Sequence, residues 1–322
     1  MTRSEALEQF KEKFCSRTDE LAEEFIKGLD AQVEELMGQI LEAFGEIADQ
    51  AEEKDTVCVF FQFSLLRYDL MQDTAKVRLD VMDGSWYLDQ EPLYAELDLT
   101  FLFTPYFKWR KKLLTDMREY MGKVNRYDVE NIVQDKVMEA VGMLIQILRI
   151  LFRNIESQEN FARIPKTLFW EIHFGEYRDY SEPIIQMNRE PRSEEEWLEK
   201  LRDHEENDGN LQFTWWHKAE LSNGDCREKK MYYIVFEECS LTGIDFEKAK
   251  LMGARFLNCS LDGCSFKQAD LTQAEFDSCS FKDCDFTDAG LQQALFSMAG
   301  LEADWFDEKQ KDEMLIAEGA ER

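Results

Sequence analysis

Three histidines, His173, His204 and His217, are the side chains suited by type to acid–base work or metal binding, and eight cysteines could supply nucleophiles, ligands or disulfides. Their spacing supports none of these roles. No histidine lies in a His-Glu-x-x-His helix, and neither a Cys-x2-Cys pair nor a convergent His and Cys set occurs, so no metal and no cofactor is expected. A Gly-x-Ser-x-Gly elbow, a Walker loop and a Gly-x-Gly-x-x-Gly fingerprint are also missing. A catalytic carboxylate pair needs no fixed sequence spacing, so an enzyme with an unrecognised site in the N-terminal part stays open as an alternative. No catalytic, cofactor-binding or metal residue is assigned, and the expectation is a non-enzymatic protein.

The elements that must position the cysteines explain most of them. From Phe236 onward a Phe or Leu recurs at every fifth residue: Phe236, Leu241, Phe246, Leu251, Phe256, Leu261, Phe266, Leu271, Phe276, Phe281, Phe286, Leu291, Phe296, Leu301 and Phe306. Five is the period of neither a helix nor a strand, so the unit must turn a corner every five residues. Two residues earlier runs a register of small or modest apolar side chains, from Cys239 to Ala299, which itself repeats at 20 residues. Cys239, Cys259 and Cys279 fall in one column and Cys264 and Cys284 in the next, with alanines in the other two. Four units of five therefore close one coil, with large side chains toward the axis and small ones at the corners. At such inward positions Cys acts as a compact hydrophobe. Cys15 and Cys58 have no assigned role.

These residues resemble the pentapeptide repeat family, whose pattern of a small residue, a polar residue and then Leu or Phe is seen in Ala269-Asp270-Leu271-Thr272-Gln273. The resemblance implies a right-handed quadrilateral β-helix, and nothing comparable marks residues 1–230. Asp304 breaks the small register, since an unpaired carboxylate there would cost several kcal/mol. The last coil should close near Leu301. A helical cap is expected from Glu302 to Glu318, with Trp305, Leu315 and Ile316 covering the open end.

Upstream, Ser4 to Glu52 carries apolar residues at helical spacing, as in one amphipathic helix or a helical hairpin, with Gly28, Gly38 and Gly45 as the candidate break points. Three strands are expected at Val57–Leu66, around Val77–Val81, and from Leu93 to Phe103, the last two joined by an Asp83-Gly84 turn. Thr104-Pro105 should open a helix running to about Met121, and a second should start near Asp128. A fourth strand, Leu168 to Phe174, carries His173. Ser193 with Glu196 reads as a capping box for a short acidic helix ended by Asp208-Gly209. Trp215 and Trp216 should cap the first coil or dock the domains. The expected fold is an α+β N-terminal domain with helices on an antiparallel sheet (1–188), an acidic connector (189–230), the β-helix (231–301), and a cap and tail (302–322).

Net charge decides among partners. A formal charge of -29 repels phosphate backbones and anionic lipid, which argues against direct nucleic-acid or membrane binding. Met1 to Lys13 is charged throughout, and Glu139, Gln146 and Arg149 interrupt the most apolar stretch, Val137 to Phe152. Neither a secretory signal nor a membrane span is expected, and the thiols should be reduced in a cytoplasmic protein. Some members of the family are DNA mimics acting on topoisomerases, so the resemblance raises that alternative. Residues 235–306, however, hold 13 acidic and 5 basic residues, leaving -21 of the charge elsewhere. Fifteen units also span only roughly 18 Å against ~34 Å for a turn of B-DNA. The expectation is a protein-binding role, with the solenoid as rigid platform or homodimerisation surface.

Overall fold

The computed structural model describes residues 1–15, 18–176, 180–202, 211–297 and 305–317. The chain divides into two compact units, Met1–Ile185 and Gln186–Arg322.

The first unit opens with three helices, α1 (Arg3–Phe14), α2 (Thr18–Ala31) and α3 (Val33–Lys54). Thr2 and Glu5 form a capping box at the start of α1, and Asp55 in the left-handed region ends α3. The glycines are not the breaks: Gly28 lies inside α2, and Gly38 and Gly45 inside α3. Gly45 serves close approach instead, because a Cβ there would stand 3.1 Å from the Asn160 amide nitrogen, which donates to Leu41 O at 2.7 Å.

A five-stranded sheet follows, built from β1 (Cys58–Leu65), then β2 (Lys76–Met82) and β3 (Leu93–Asp98) after the short α4 (Arg67–Leu70). The three strands form the expected antiparallel meander. β3 ends at Asp98 rather than Phe103, because the Asp98 carboxylate accepts from Thr100 N at 3.0 Å and starts α5 (Thr100–Asp116) four residues ahead of the expected Thr104. Asn125 with Asp128 caps α6 (Arg126–Leu151), and α7 (Glu159–Ala162) leads into β4 (Lys166–Glu176) and β5 (Ser181–Asn188). β4 returns to the same sheet, parallel to β1, giving the order β3-β2-β1-β4-β5. Helices cover one face. There Phe44 of α3 packs at 5.9 Å from Phe63 and 4.8 Å from Phe161, and the Arg110 guanidinium, 6% exposed, is closed by Glu130 at 2.6 and 2.7 Å and Asp73 at 2.9 Å.

In the second unit α8 (Glu194–Arg202) begins as the Ser193–Glu196 pair indicates, with Ser193 Oγ accepting from Glu196 N at 3.2 Å. Asp208-Gly209 and His204 lie outside the described residues. The solenoid starts earlier than residue 231. β6 (Trp215–His217) and β7 (Glu220–Ser222) stack in parallel on β8 (Val235–Glu237) and β9 (Ser240–Thr242). The stack continues through β10 (Arg255–Leu257), β11 (Ser260–Asp262), β12 (Glu275–Asp277), β13 (Ser280–Lys282) and β14 (Leu295–Ser297), each 20 residues from its partner. Single parallel bridges, Asp225 to Asp245 and Lys230 to Lys250 among them, form the other two walls. The result is a parallel β-solenoid of about five turns.

Its corners have one cause. Every fifth residue from Phe213 to Gln293, seventeen in a row, has φ between 48° and 70°. This left-handed turn redirects the chain after each short strand. Trp216 is therefore no cap; it occupies the axis, and the cap is Trp197 of α8, edge-on to Trp216 at 5.2 Å and Phe236 at 5.8 Å.

The far end also differs from expectation. Leu301 and Asp304 lie outside the described residues, and the helix is short, α9 (Glu308–Glu313). After it β15 (Leu315–Ala317) stacks in parallel on β14, leaving Leu315 and Ile316 more than half exposed. Trp305 covers the end as expected; Phe306 and Met314 take the place of Leu315 and Ile316, with buried Gln310, whose Nε2 donates to Phe286 O at 2.8 Å and Ala289 O at 3.0 Å.

Candidate functional site

The solenoid axis is a ladder of rings. Phe236, Phe256, Phe276 and Phe296 stack with centroids 5.2, 4.6 and 4.6 Å apart, and Phe246, Phe266 and Phe286 stack at 4.9 Å. Leu241, Leu251, Leu261, Leu271 and Leu291 are buried with them, while Phe281 is half-buried. The register extends upstream through Leu211, Trp216, Leu221, Cys226 and Met231, all buried. Cys226 thus stands on the axis and not at a corner.

The five corner cysteines bond across coils. Each thiol donates to the carbonyl 23 residues back: Cys239 to Trp216 O, Cys259 to Phe236 O and Cys279 to Phe256 O at 3.2 Å, Cys264 to Leu241 O at 3.5 Å, and Cys284 to Leu261 O at 3.6 Å. The thiol of the adjoining coil, and then burial, hold Cys239 and Cys264 well above the ordinary thiol range. Burial pushes Cys58 up to about 11. Cys58, Cys239 and Cys264 are therefore poor nucleophiles.

The outer walls carry mixed charge. Between successive coils Arg255 Nε meets Glu275 at 2.7 Å, Lys282 Nζ meets Asp262 at 2.7 Å and Lys218 Nζ meets Glu238 at 3.5 Å. Other carboxylates make turns: Asp225, Asp245, Asp270 and Asp285 each accept the backbone N–H two residues on, at 2.8–3.2 Å. The Arg227 side chain, ahead of its backbone N–H, pulls Asp225 down to about 2.

The two described histidines belong to different units, and each faces a carboxylate. His173 Nε2 is 3.3 Å from Glu171 Oε1 and its Nδ1 3.5 Å from Ser181 Oγ, while His217 Nδ1 is 3.1 Å from Glu237 Oε2. Glu237 also takes a bidentate pair from Arg189 at 2.8 Å and the Trp215 indole N–H at 3.0 Å. Burial pushes its carboxyl up, but the Arg189 hydrogen bonds and charge, the indole and then His217 outweigh this and leave it low. Among the described residues no group of His, Cys, Asp and Glu could hold a metal ion, and no helix is long and apolar enough to cross a membrane.

With this geometry in view, residues 232–268 and 264–297 match the family model for pentapeptide repeats, in eight copies. Residues 232–297 are pentapeptide repeats. Comparison with curated proteins finds no match. Among solved structures, QnrB1, a trypsin-treated form of a plasmid-mediated fluoroquinolone resistance protein, is similar over 30% of this chain and 70% of its own, with 13% identity and a TM-score of 0.19. So low a score carries no argument. The pentapeptide-repeat match stops short of β6 and β7, although these strands obey the same 20-residue register.

Sequence reasoning missed one cavity. On the sheet face opposite the helices, Gln62 and Ser64 of β1 lie across from Asp80 and Arg78 of β2. These four line a cavity of about 150 Å³ whose rim is Tyr87 and Asp89 from the β2–β3 connection, with Met82 and Pro92 as its apolar wall. The available signal was two polar residues, spaced by two, inside the otherwise apolar run Val57 to Leu66.

Proposed function

We propose that this protein works by binding another protein, with the pentapeptide-repeat solenoid as its rigid platform. The observation that carries the reading is the seventeen-fold corner register with its stacked axis, which holds outward side chains in fixed columns at ~4.8 Å per coil. One such column, Glu228, Lys248, Gln268 and Asp288, is exposed at every rung. A surface ordered before contact loses little conformational entropy on association. Homodimerisation through the same walls belongs to this reading.

The DNA-mimic alternative has less support. It needs a continuous stripe of carboxylates, whereas these are interleaved with Arg and Lys or used in turns. Six rungs at ~4.8 Å also span only about 24 Å.

The test is affinity capture by the full chain from native lysate. A stoichiometric protein partner should be recovered, and the triple variant Lys248→Glu, Gln268→Glu, Asp288→Lys should lose it while keeping its circular dichroism spectrum. Recovery of no macromolecule, together with turnover of a small-molecule panel, would overturn the proposal in favour of an enzyme.

A further inference from the structure

The cavity of the N-terminal sheet has the composition of a ligand site. Gln62 is 8% and Ser64 2% exposed, and strands do not bury polar side chains beside a void without cost. Gln62 Nε2 donates to Phe63 O at 3.0 Å, so its amide oxygen is the group with capacity left. Arg78 uses Nε on Asp80 at 2.7 Å and lies over the Tyr94 ring at 4.6 Å. Asp80 is its hydrogen-bond partner among the described residues, which leaves both terminal guanidinium nitrogens as donors.

The rim is held in place. Asp89 accepts Asp83 N at 3.1 Å and Glu91 N at 2.9 Å, and Trp86 adopts φ 57°, a conformation that costs an aromatic residue about 1 kcal/mol or more. Trp86 in turn stacks on Phe60 at 5.5 Å. Strain maintained beside a polar cavity fits a preformed clamp.

Charge then selects the ligand. The lining holds one guanidinium and two carboxylates. A simple carboxylate would face two like charges, and a simple amine would leave the Arg78 donors unmatched. A compact zwitterion satisfies both signs. A cavity of about 150 Å³ admits a molecule of benzene size or slightly larger, roughly six to nine heavy atoms. We propose that this cavity binds a free α-amino acid, its carboxylate on the Arg78 terminal nitrogens, its ammonium toward Asp89, and its side chain against Met82 and Pro92.

The experiment is isothermal titration calorimetry of the full chain with the twenty proteinogenic amino acids singly. Each binder is followed by its matched carboxylic acid lacking the amino group and its matched amine lacking the carboxylate. At least one amino acid with a compact side chain should bind saturably at one per chain, and both truncated analogues should bind at least tenfold more weakly. Arg78→Gln and Asp89→Asn should each weaken binding at least tenfold with unchanged circular dichroism. Absence of saturable binding by any amino acid, analogues that bind equally well, or retention of full affinity in both variants would each overturn the proposal. None of these outcomes depends on the solenoid, so this inference and the protein-binding role fail separately.

Discussion

The Tyr233 ring lies across Gly253 so closely that a Cβ built on the glycine would stand 2.4 Å from a ring carbon. The same ring stacks on Phe213 at 5.1 Å, so one corner column begins with two aromatics and a gap that receives them. Gly253 also has φ 70°, so two independent penalties meet a substitution there. Gly253→Ala should cost about 2 kcal/mol, of which about 1 is backbone strain. Tyr233→Ala should recover the steric share only, a coupling readable from a double-mutant cycle of thermal unfolding.

The axis should be sensitive to lost volume. Phe256 stacks on Phe276 at 4.6 Å and Phe236 at 5.2 Å, and Phe256→Ala should cost about 3–5 kcal/mol. Phe256→Leu places a side chain that neighbouring columns already use and should cost less than about 1.5 kcal/mol. Equal losses in the two variants, measured by denaturant unfolding, would show that ring stacking outweighs volume.

Acid stability should depend on Glu237. Its folded carboxyl sits below the usual range, so the stability it adds is present above about pH 4.5 and is lost as pH falls through the lower folded value. Glu237→Gln should lower stability at pH 7 by about 1–2 kcal/mol and flatten the melting temperature below pH 4.5. An acid limb identical to the parent protein's would assign that loss to other carboxylates.

Thiol reagents should see almost nothing. Seven of the eight cysteines are buried, and Cys15 is half-buried with its thiol raised by burial. A chromogenic disulfide should therefore titrate no more than one thiol in the native protein and eight after unfolding. Rapid reaction of two or more native thiols would contradict their place in the coil.

The repeat was legible because its signal is redundant: two registers and a 20-residue super-period agree at every unit from Leu241 to Leu301. Its first coil escaped because Cys226, Met231 and Trp216 fill the axis without being Phe or Leu, and Lys229 breaks the small register. Any apolar residue at the central position would have extended the pattern to Leu211. Helix ends were harder, since Asp98 accepts from Thr100 N and turns the chain into α5 within a stretch that alternation assigned to the strand. The parallel return of β4 to β1 depends on packing over a long connection, which local propensity does not encode. The cavity lay beyond sequence reading because its residues converge from two strands and a loop with no spacing rule to link them.

The left-handed corner at every fifth position gives the solenoid something like a reading frame. A residue's remainder on division by twenty fixes its wall, its corner or its place on the axis. Loss of a single residue would turn every later phenylalanine off the axis and bring acids such as Asp277 and Asp285 inward, whereas removal of twenty would take out one rung and leave the frame intact. The length of this protein can therefore change in whole coils, and its surface can be rewritten one column at a time.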